Sequence, residues 1–390
     1  MPIVYPYTQY TGIWKLSAAS AAQGAGTWPS PPVAAPHLFS WGNSSQGQLG
    51  LGNTTGYSSP KQVGSLTNWL QVSAASYFSA AIKSDGTLWT WGGNDLGQLG
   101  LGNTTYYSSP KQVGSLTNWS SVSTAYKFAL AIKTDGTLWG WGRNYFGQTG
   151  INNRTNQSSP VQVGALTTWL KVSAGYDNGF AIKTDGTLWG WGYNGLGQVG
   201  LGNTTYLFSS PQQVGALTNW SSVSVGRYSV IATQSNGTLW AWGRNNYGQL
   251  ANGTTNNYSS PIQIGALTNW SKLFCGADYS VAIKTDGTLW SWGSNGQGQL
   301  GLGNTTSYSS PKQVGSLTNW SSASVANFTD GVTTAIKTDG TLWSWGENNY
   351  GQLGLGNTTY YSSPKQVGSL TSWTKIAAGG RFMLGIAQTF

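Results

Sequence analysis

Residues able to do chemistry are scarce in this chain. Its 390 residues include one cysteine, one histidine and ten acidic side chains. Cys275 has no partner with which to form an intrachain disulfide, and its small-residue setting marks it as a buried structural thiol. One cysteine and one histidine, His37, cannot build a Ser-His-Asp triad or a zinc site. Five carboxylates, Asp85, Asp135, Asp185, Asp286 and Asp339, fall in a repeated Asp-Gly turn, which leaves few for acid–base catalysis. The G-x-G strings precede no helical pattern and do not read as phosphate cradles. No enzymatic activity, cofactor or metal is therefore expected. No run approaches the roughly 18 apolar residues of a membrane span. The opening M-P-I-V-Y-P-Y-T-Q-Y has neither the basic nor the apolar segment of a signal peptide, so none is expected. The N-T-T strings that match glycosylation acceptors are accordingly read as coincidence.

Charge is also sparse: 7% of residues are charged, with a formal net charge of +9. The lysines are spread around the repeats. Lys83, Lys133, Lys183, Lys284 and Lys337 hold one repeat position, and Lys61, Lys111, Lys312 and Lys365 hold another. This pattern reads as a ring of solvated positions, so a nucleic-acid partner is not expected.

What the chain does have is a period. A W-G dipeptide recurs at Trp41, Trp91, Trp141, Trp191, Trp242, Trp292 and Trp345. The tryptophan of L-T-x-W recurs at Trp69, Trp119, Trp169, Trp220, Trp270, Trp320 and Trp373. Steps are 50 or 51 residues, with one of 53. Such self-similarity marks units that bury their apolar faces against one another. Within a unit, A-I-K-T-D-G-T-L-W-G-W-G at 131–142 reads as two strands around Asp-Gly, and a type I′ turn is expected there. The small residue between the paired tryptophans (Thr90, Gly140, Gly190, Ala241, Ser291, Ser344, Ser40) lets neighbouring sheets nest. A strand V-S-x-G precedes this hairpin. A strand S-P-x-Q-V follows it, its starting proline implying a sheet edge.

The expected unit is a four-stranded antiparallel meander, A to D, and seven such sheets make an all-β propeller. The segment His37–Gly42 reads as strand C with no A or B before it. Residues 375–387 read as A and B with no C after them. The two ends therefore share one blade. The expected domains are an irregular N-terminal arm over 1–36 and the propeller over 37–390.

The string D-G-T-L-W-x-W-G-x-N-x-x-G-Q-L-G, with S-P-x-Q-V and W-x-x-V-S-x-G, resembles the repeat of the regulator of chromosome condensation family. The resemblance covers residues 37–390 and implies a seven-bladed propeller. It also implies diverse activities: nucleotide exchange on a small GTPase, ubiquitin-ligase scaffolding and, in a bacterial member, β-lactamase inhibition. Family repeats often carry histidine before strand B. Here those positions hold Tyr77, Tyr126, Tyr176, Tyr228 and Asp278, a departure that bears on exchange activity.

The repeats differ from one another mainly at the A–B tips and the C–D loops, which lie at the same end of a meander. The expected ligand-binding face comprises Tyr77, Tyr126, Lys127, Arg143, Tyr145, Phe146, Tyr176, Tyr193, Arg227, Tyr228, Arg244, Tyr247, Tyr279, Phe328, Tyr350 and Arg381. The arm, with Tyr5, Tyr7, Tyr10, Trp14 and Trp28 as anchors, leads into strand C at the other end. Its residues 10–30 resemble N-terminal segments of virion proteins from marine tailed phages. The expected function is a non-enzymatic phage virion protein, decorating the capsid or associated with the tail. Its arm would dock to other virion proteins, and its face would meet a host-surface glycan or protein. The expected location is the virion, assembled in the host cytoplasm. The alternative is a cellular propeller scaffold or regulator that holds a protein partner.

Overall fold

A computed structural model describes residues 34–326 and 331–389. They form seven four-stranded antiparallel sheets. Six run in chain order, beginning with Trp69–Ala74, Phe78–Lys83, Leu88–Gly92 and Tyr107–Gln112, and are numbered blades 1 to 6. Blade 7 takes strands A and B from Trp373–Ala378 and Phe382–Thr389, and strands C and D from Ala35–Gly42 and Tyr57–Gln62. The two ends of the repeat array thus close the ring.

Strand A lies innermost, where successive A strands touch, and strand D is the most exposed. Strand D begins three residues before its proline, four in blade 3, earlier than the sequence suggests. In blade 1, Gly92 faces Tyr107 and Thr90 faces Lys111, and the bulge between them keeps Pro110 out of the ladder.

The core sits between blades, not within them. Each W-G tryptophan is fully buried. Trp141, for example, packs with Phe78, Leu88 and Leu99 of the preceding blade. Every one of these indoles also donates to the carbonyl of the G-Q glutamine one blade back. Trp91 bonds Gln48 O at 2.9 Å, Trp242 bonds Gln198 O at 3.0 Å, and Trp41 closes the circle on Gln352 O at 3.0 Å. One side chain therefore supplies both apolar burial and a polar link across each junction.

A second belt runs around the axis. The serine of V-S-x-G accepts the backbone N–H of the next A strand: Ser73 from Thr124, Ser123 from Ala174, Ser224 from Cys275 and Ser324 from Ala378, each at 2.9 Å. Cys275 is buried beside Ser229, and burial pushes its thiol pKa up.

The glycine after G-Q-L presses on the next blade's tryptophan. A Cβ at Gly100 (φ +70°) would lie 2.8 Å from Trp141 Nε1. Blade 4 carries Ala251 at this position, with φ +65°. A left-handed alanine costs about 1–2 kcal/mol. Ala251→Gly is therefore expected to raise stability by about 1 kcal/mol, measured as a higher urea midpoint at unchanged slope.

The Asp-Gly turn differs from type I′. Gly86 has φ +76°, whereas Asp85 is not among the positive-φ residues. Gly86 N bonds Lys83 O at 3.0 Å and Lys83 N bonds Thr87 O at 3.1 Å, so one left-handed glycine closes a three-residue loop. The aspartate instead accepts from Thr87 N (3.0 Å) and Thr87 Oγ1 (2.6 Å). These hydrogen bonds hold Asp85, Asp135, Asp185, Asp286 and Asp339 below the usual carboxylate range. A depressed carboxylate pKa adds stability that is complete above the unfolded value of about 3.9 and is lost as pH falls through the native value. Urea midpoints are expected to drop between about pH 4 and pH 2. Replacing all five with asparagine, as Asn236 already stands in blade 4, should flatten that part of the profile.

The lysine before each turn is not solvated, contrary to the sequence reading. Lys83 and Lys133 are each 6% exposed. The Lys133 ammonium lies 3.6 Å from the Trp139 ring centroid and 4.9 Å from that of Trp119. Burial lowers the pKa of Lys133, Lys284 and Lys337. Five lysines are thus committed to tryptophan faces, which removes much of the formal charge from the surface. Lys61, Lys111, Lys312 and Lys365 do remain exposed, on the outer strands.

Candidate binding face

The alternation of strand direction places the A–B tips and C–D loops together on one face of the ring. The D–A and B–C turns form the other. This second face is uniform and tightly cross-linked. Gly86 O accepts from Trp119 N at 3.1 Å, and Asn118 O accepts from Thr134 N at 2.8 Å, a pattern repeated along the blades. It also carries a ring of exposed leucines: Leu66, Leu116, Leu166, Leu217, Leu267, Leu317 and Leu370. Two open clefts of about 270 and 430 Å³ lie beside Leu66 and Leu166, lined mainly by apolar side chains with no charged group. Their polar lining, Gln62 and Ser109 in one and Asn152 and Ser210 in the other, includes no acid, base or nucleophile pair, and both lie at the same framework position, so neither singles out a site.

On the divergent face the C–D loops are rigid. Asn94 Nδ2 donates to the carbonyls of Asn103 and Thr105, both at 3.0 Å, and Leu99 N donates to Asn94 Oδ1 at 2.9 Å. Gln98 Oε1 accepts from Leu96 N at 2.9 Å. Variable side chains stand on this fixed frame.

They converge over blades 1 to 4. Tyr77 meets Tyr126 edge-on at 5.9 Å, and Tyr126 stacks on Tyr176 at 4.5 Å with 20° between planes. Tyr176 reaches Tyr228 at 6.2 Å, and Tyr228 reaches Tyr193 at 6.1 Å. Tyr193 then contacts Phe146 (5.2 Å) and Tyr206 (5.4 Å). The tyrosines of the A–B tips, Tyr77, Tyr126, Tyr176 and Tyr228, are therefore the spine of this surface.

Cations interleave with the rings. Lys127 lies over Tyr77 and Tyr126 and pairs with Asp95 at 2.5 Å. Arg143 lies over Tyr126, Tyr145 and Phe146 and pairs with buried Asp177. Arg244 lies over Tyr228 and Tyr247 and pairs with Asp278 at 3.3 Å. Arg227 sits 5.0 Å from both the Tyr176 and Tyr228 centroids. Burial pushes Asp177 and Asp278 above the usual carboxylate range, against the pull of Arg143 and Arg244 respectively. Raised carboxylate values favour the native state at low pH, opposite in sign to the turn aspartates. Burial also raises the phenols of Tyr176 and Tyr193. The cluster is thus partly desolvated around Tyr176 and Tyr193.

Of the expected face residues, Tyr77, Tyr126, Lys127, Arg143, Tyr145, Phe146, Tyr176, Tyr193, Arg227, Tyr228, Arg244 and Tyr247 join this cluster. Arg381 and Tyr350 form a separate pair, 4.9 Å apart, where blades 6 and 7 meet. Tyr279 does not belong to the face. It is 1% exposed, and its hydroxyl donates to Val332 O inside the blade 5–6 junction. Phe328 and the arm residues Tyr5, Tyr7, Tyr10, Trp14 and Trp28 lie outside the described residues. Sequence reasoning missed Tyr206, which is 57% exposed, and the counter-ions Asp95, Asp177 and Asp278. A signal for two of them existed: Arg143–Asp177 and Arg244–Asp278 share a separation of 34 residues, from one blade's C–D loop to the next blade's A–B tip.

Among the described residues no group of three or more His, Cys, Asp or Glu side chains is arranged to hold a metal. No helix among them is long and apolar enough to cross a membrane.

Fold and face together define a seven-bladed propeller with one rigid, divergent surface of tyrosine and arginine. The chain belongs to the RCC1-like domain family, whose model matches residues 37–385. No curated protein matches in direct sequence comparison. Among solved structures it is similar to human WBSCR16, at 22% identity and TM-score 0.81, over 91% of this chain and 100% of that one. It is also similar to Prp20p of Saccharomyces cerevisiae, at 18% identity and TM-score 0.80, over 92% and 93%. Prp20p was described together with its binding to Gsp1p and histones, and in a second structure with Kap60. At these identities the likeness concerns the fold.

Proposed function

We propose that this chain is a non-enzymatic binding propeller that holds a macromolecular partner, most simply a protein, on its divergent face. The carrying observation is the unbroken run of aromatic and cationic side chains over blades 1 to 4, fixed on loops whose frame barely varies. Tyrosine and arginine dominate binding hot spots because they offer large, stiff contact area with few rotors to freeze. The protein-binding record of Prp20p supports the same reading.

Family membership favours a cellular scaffold or regulator as the setting. The virion reading rests on the resemblance of residues 10–30 to phage proteins. On that reading the arm docks to the particle, and the chain is found in virions.

The test is recovery of a stoichiometric partner from the source cells or particles on the immobilised full-length protein. Tyr126→Ala combined with Tyr176→Ala is expected to reduce recovery at least about thirtyfold, the effect of losing about 2 kcal/mol at a hot spot. Leu116→Ser with Leu166→Ser, on the uniform face, should leave recovery unchanged. Undiminished recovery by the tyrosine variant would refute the proposal. Sedimentation of the chain with purified particles would select the virion setting, and its absence from them would exclude it.

A further inference from the structure

We infer that Arg227 is an anion receptor within the divergent face and that the partner presents an acidic peptide segment to it. This rests on the binding role proposed above and specifies the partner's chemistry. Three of the four cations in the cluster are neutralised: Lys127 by Asp95, Arg143 by Asp177 and Arg244 by Asp278. Arg227 is the exception. Among the described residues it forms no ion pair or hydrogen bond, and its Nε is buried without an acceptor. Asp177 and Asp278 lie near enough to interact with it electrostatically, but each is already engaged by another arginine. Three guanidinium groups against two carboxylates leave one positive charge, and it is centred on Arg227.

The guanidinium is held in place. Tyr176 and Tyr228 sit 5.0 Å from it, and Tyr176 N bonds Gly226 O at 3.3 Å, tying the tips of blades 3 and 4 together. A planar fork held against two neighbouring rings loses little freedom on binding a carboxylate through two parallel N–H···O bonds. The surrounding tyrosines suit the apolar and amide groups of a peptide backbone. An arginine left without an acceptor in a partly desolvated cluster costs stability, and an incoming carboxylate would relieve that cost.

The test uses the full-length protein labelled with 15N at arginine, titrated with acetyl-(Asp-Glu)₃-amide. The buried Nε–H of Arg227 is followed by NMR and assigned by its loss in Arg227→Lys. The acidic peptide is expected to move this resonance saturably, with affinity falling as salt rises from about 50 to 300 mM. Acetyl-(Asn-Gln)₃-amide should not move it. Arg227→Gln is expected to weaken peptide binding by roughly tenfold or more, and Arg227→Lys, which keeps the charge without the fork, by an intermediate factor. An unmoved resonance, or equal affinity in Arg227→Gln, would overturn the inference. A shift with 3′-sialyllactose and none with the peptide would also overturn it, in favour of an acidic glycan. Should the peptide fail while Tyr126→Ala/Tyr176→Ala still abolishes partner recovery, the anion receptor falls and the binding face stands.

Discussion

A chain ending at Arg381 is expected not to form the ring. Residues 382–389 are strand B of blade 7, the strand that joins the A strand from one end to the C strand from the other. Its removal strips both neighbours of their backbone partners. Phe382, Met383, Leu384 and Ile386 are 0–1% exposed, so four full side-chain burials go with it. At about 1.5–3 kcal/mol each, that is roughly 6–12 kcal/mol, close to the whole stability of a typical domain. The truncated protein should lose its near-ultraviolet circular dichroism and its sigmoidal urea transition. A normal transition in the truncated chain would show that the last strand does not close the ring.

The W-G tryptophans give the second largest effect. Trp191→Ala should cost about 3–5 kcal/mol, because the buried indole fills the junction between blades 2 and 3. Trp191→Phe should cost less, about 1–3 kcal/mol, since the ring is partly replaced while the Gln148 carbonyl loses its 2.9 Å donor. The same pair of losses is expected at the other six positions, because each makes the same bond. Trp189→Ala, which removes a partly exposed ring over Lys183, should be milder. Urea midpoints across these variants check the ranking. Equal costs for Trp191→Phe and Trp191→Ala would mean that the indole N–H carries the junction, and the packing argument would fail.

Much of this architecture is legible in the residues because one physical problem is solved seven times. A large side chain at a fixed interval, flanked by turn residues, has few other ways to bury itself. The shared blade follows from the incomplete first and last units. What escaped the sequence depends on geometry between blades. The V-S-x-G serine reads as a small surface residue until the next A strand is beside it. Lys133 reads as solvated until Trp119 and Trp139 are seen on either side. Asp85 in Asp-Gly suggests a positive-φ residue, yet the following threonine supplies two hydrogen bonds that keep it in ordinary backbone space.

The divergent face is legible in the sequence as a region and less so residue by residue. Divergence marked the tips, and the meander put them on one face. Tyr279 was drawn in because it follows an A–B tip like the others, but it occupies the first position of strand B, where Phe78, Phe128 and Phe382 point inward. Its hydroxyl finds Val332 O, so the added oxygen did not bring it to the surface. The pairing of Arg143 with Asp177 and Arg244 with Asp278 crosses a blade junction, and only the ring brings them together.

Native-state hydrogen exchange in blade 7 probes the closure most directly. If the ring is a single cooperative toroid, the amides of Leu384 to Ala387 should exchange as slowly as those of Ala129 to Ile132 in blade 2, both limited by global unfolding. Rapid exchange confined to blade 7, with the other blades still protected, would contradict a ring latched by its own two ends.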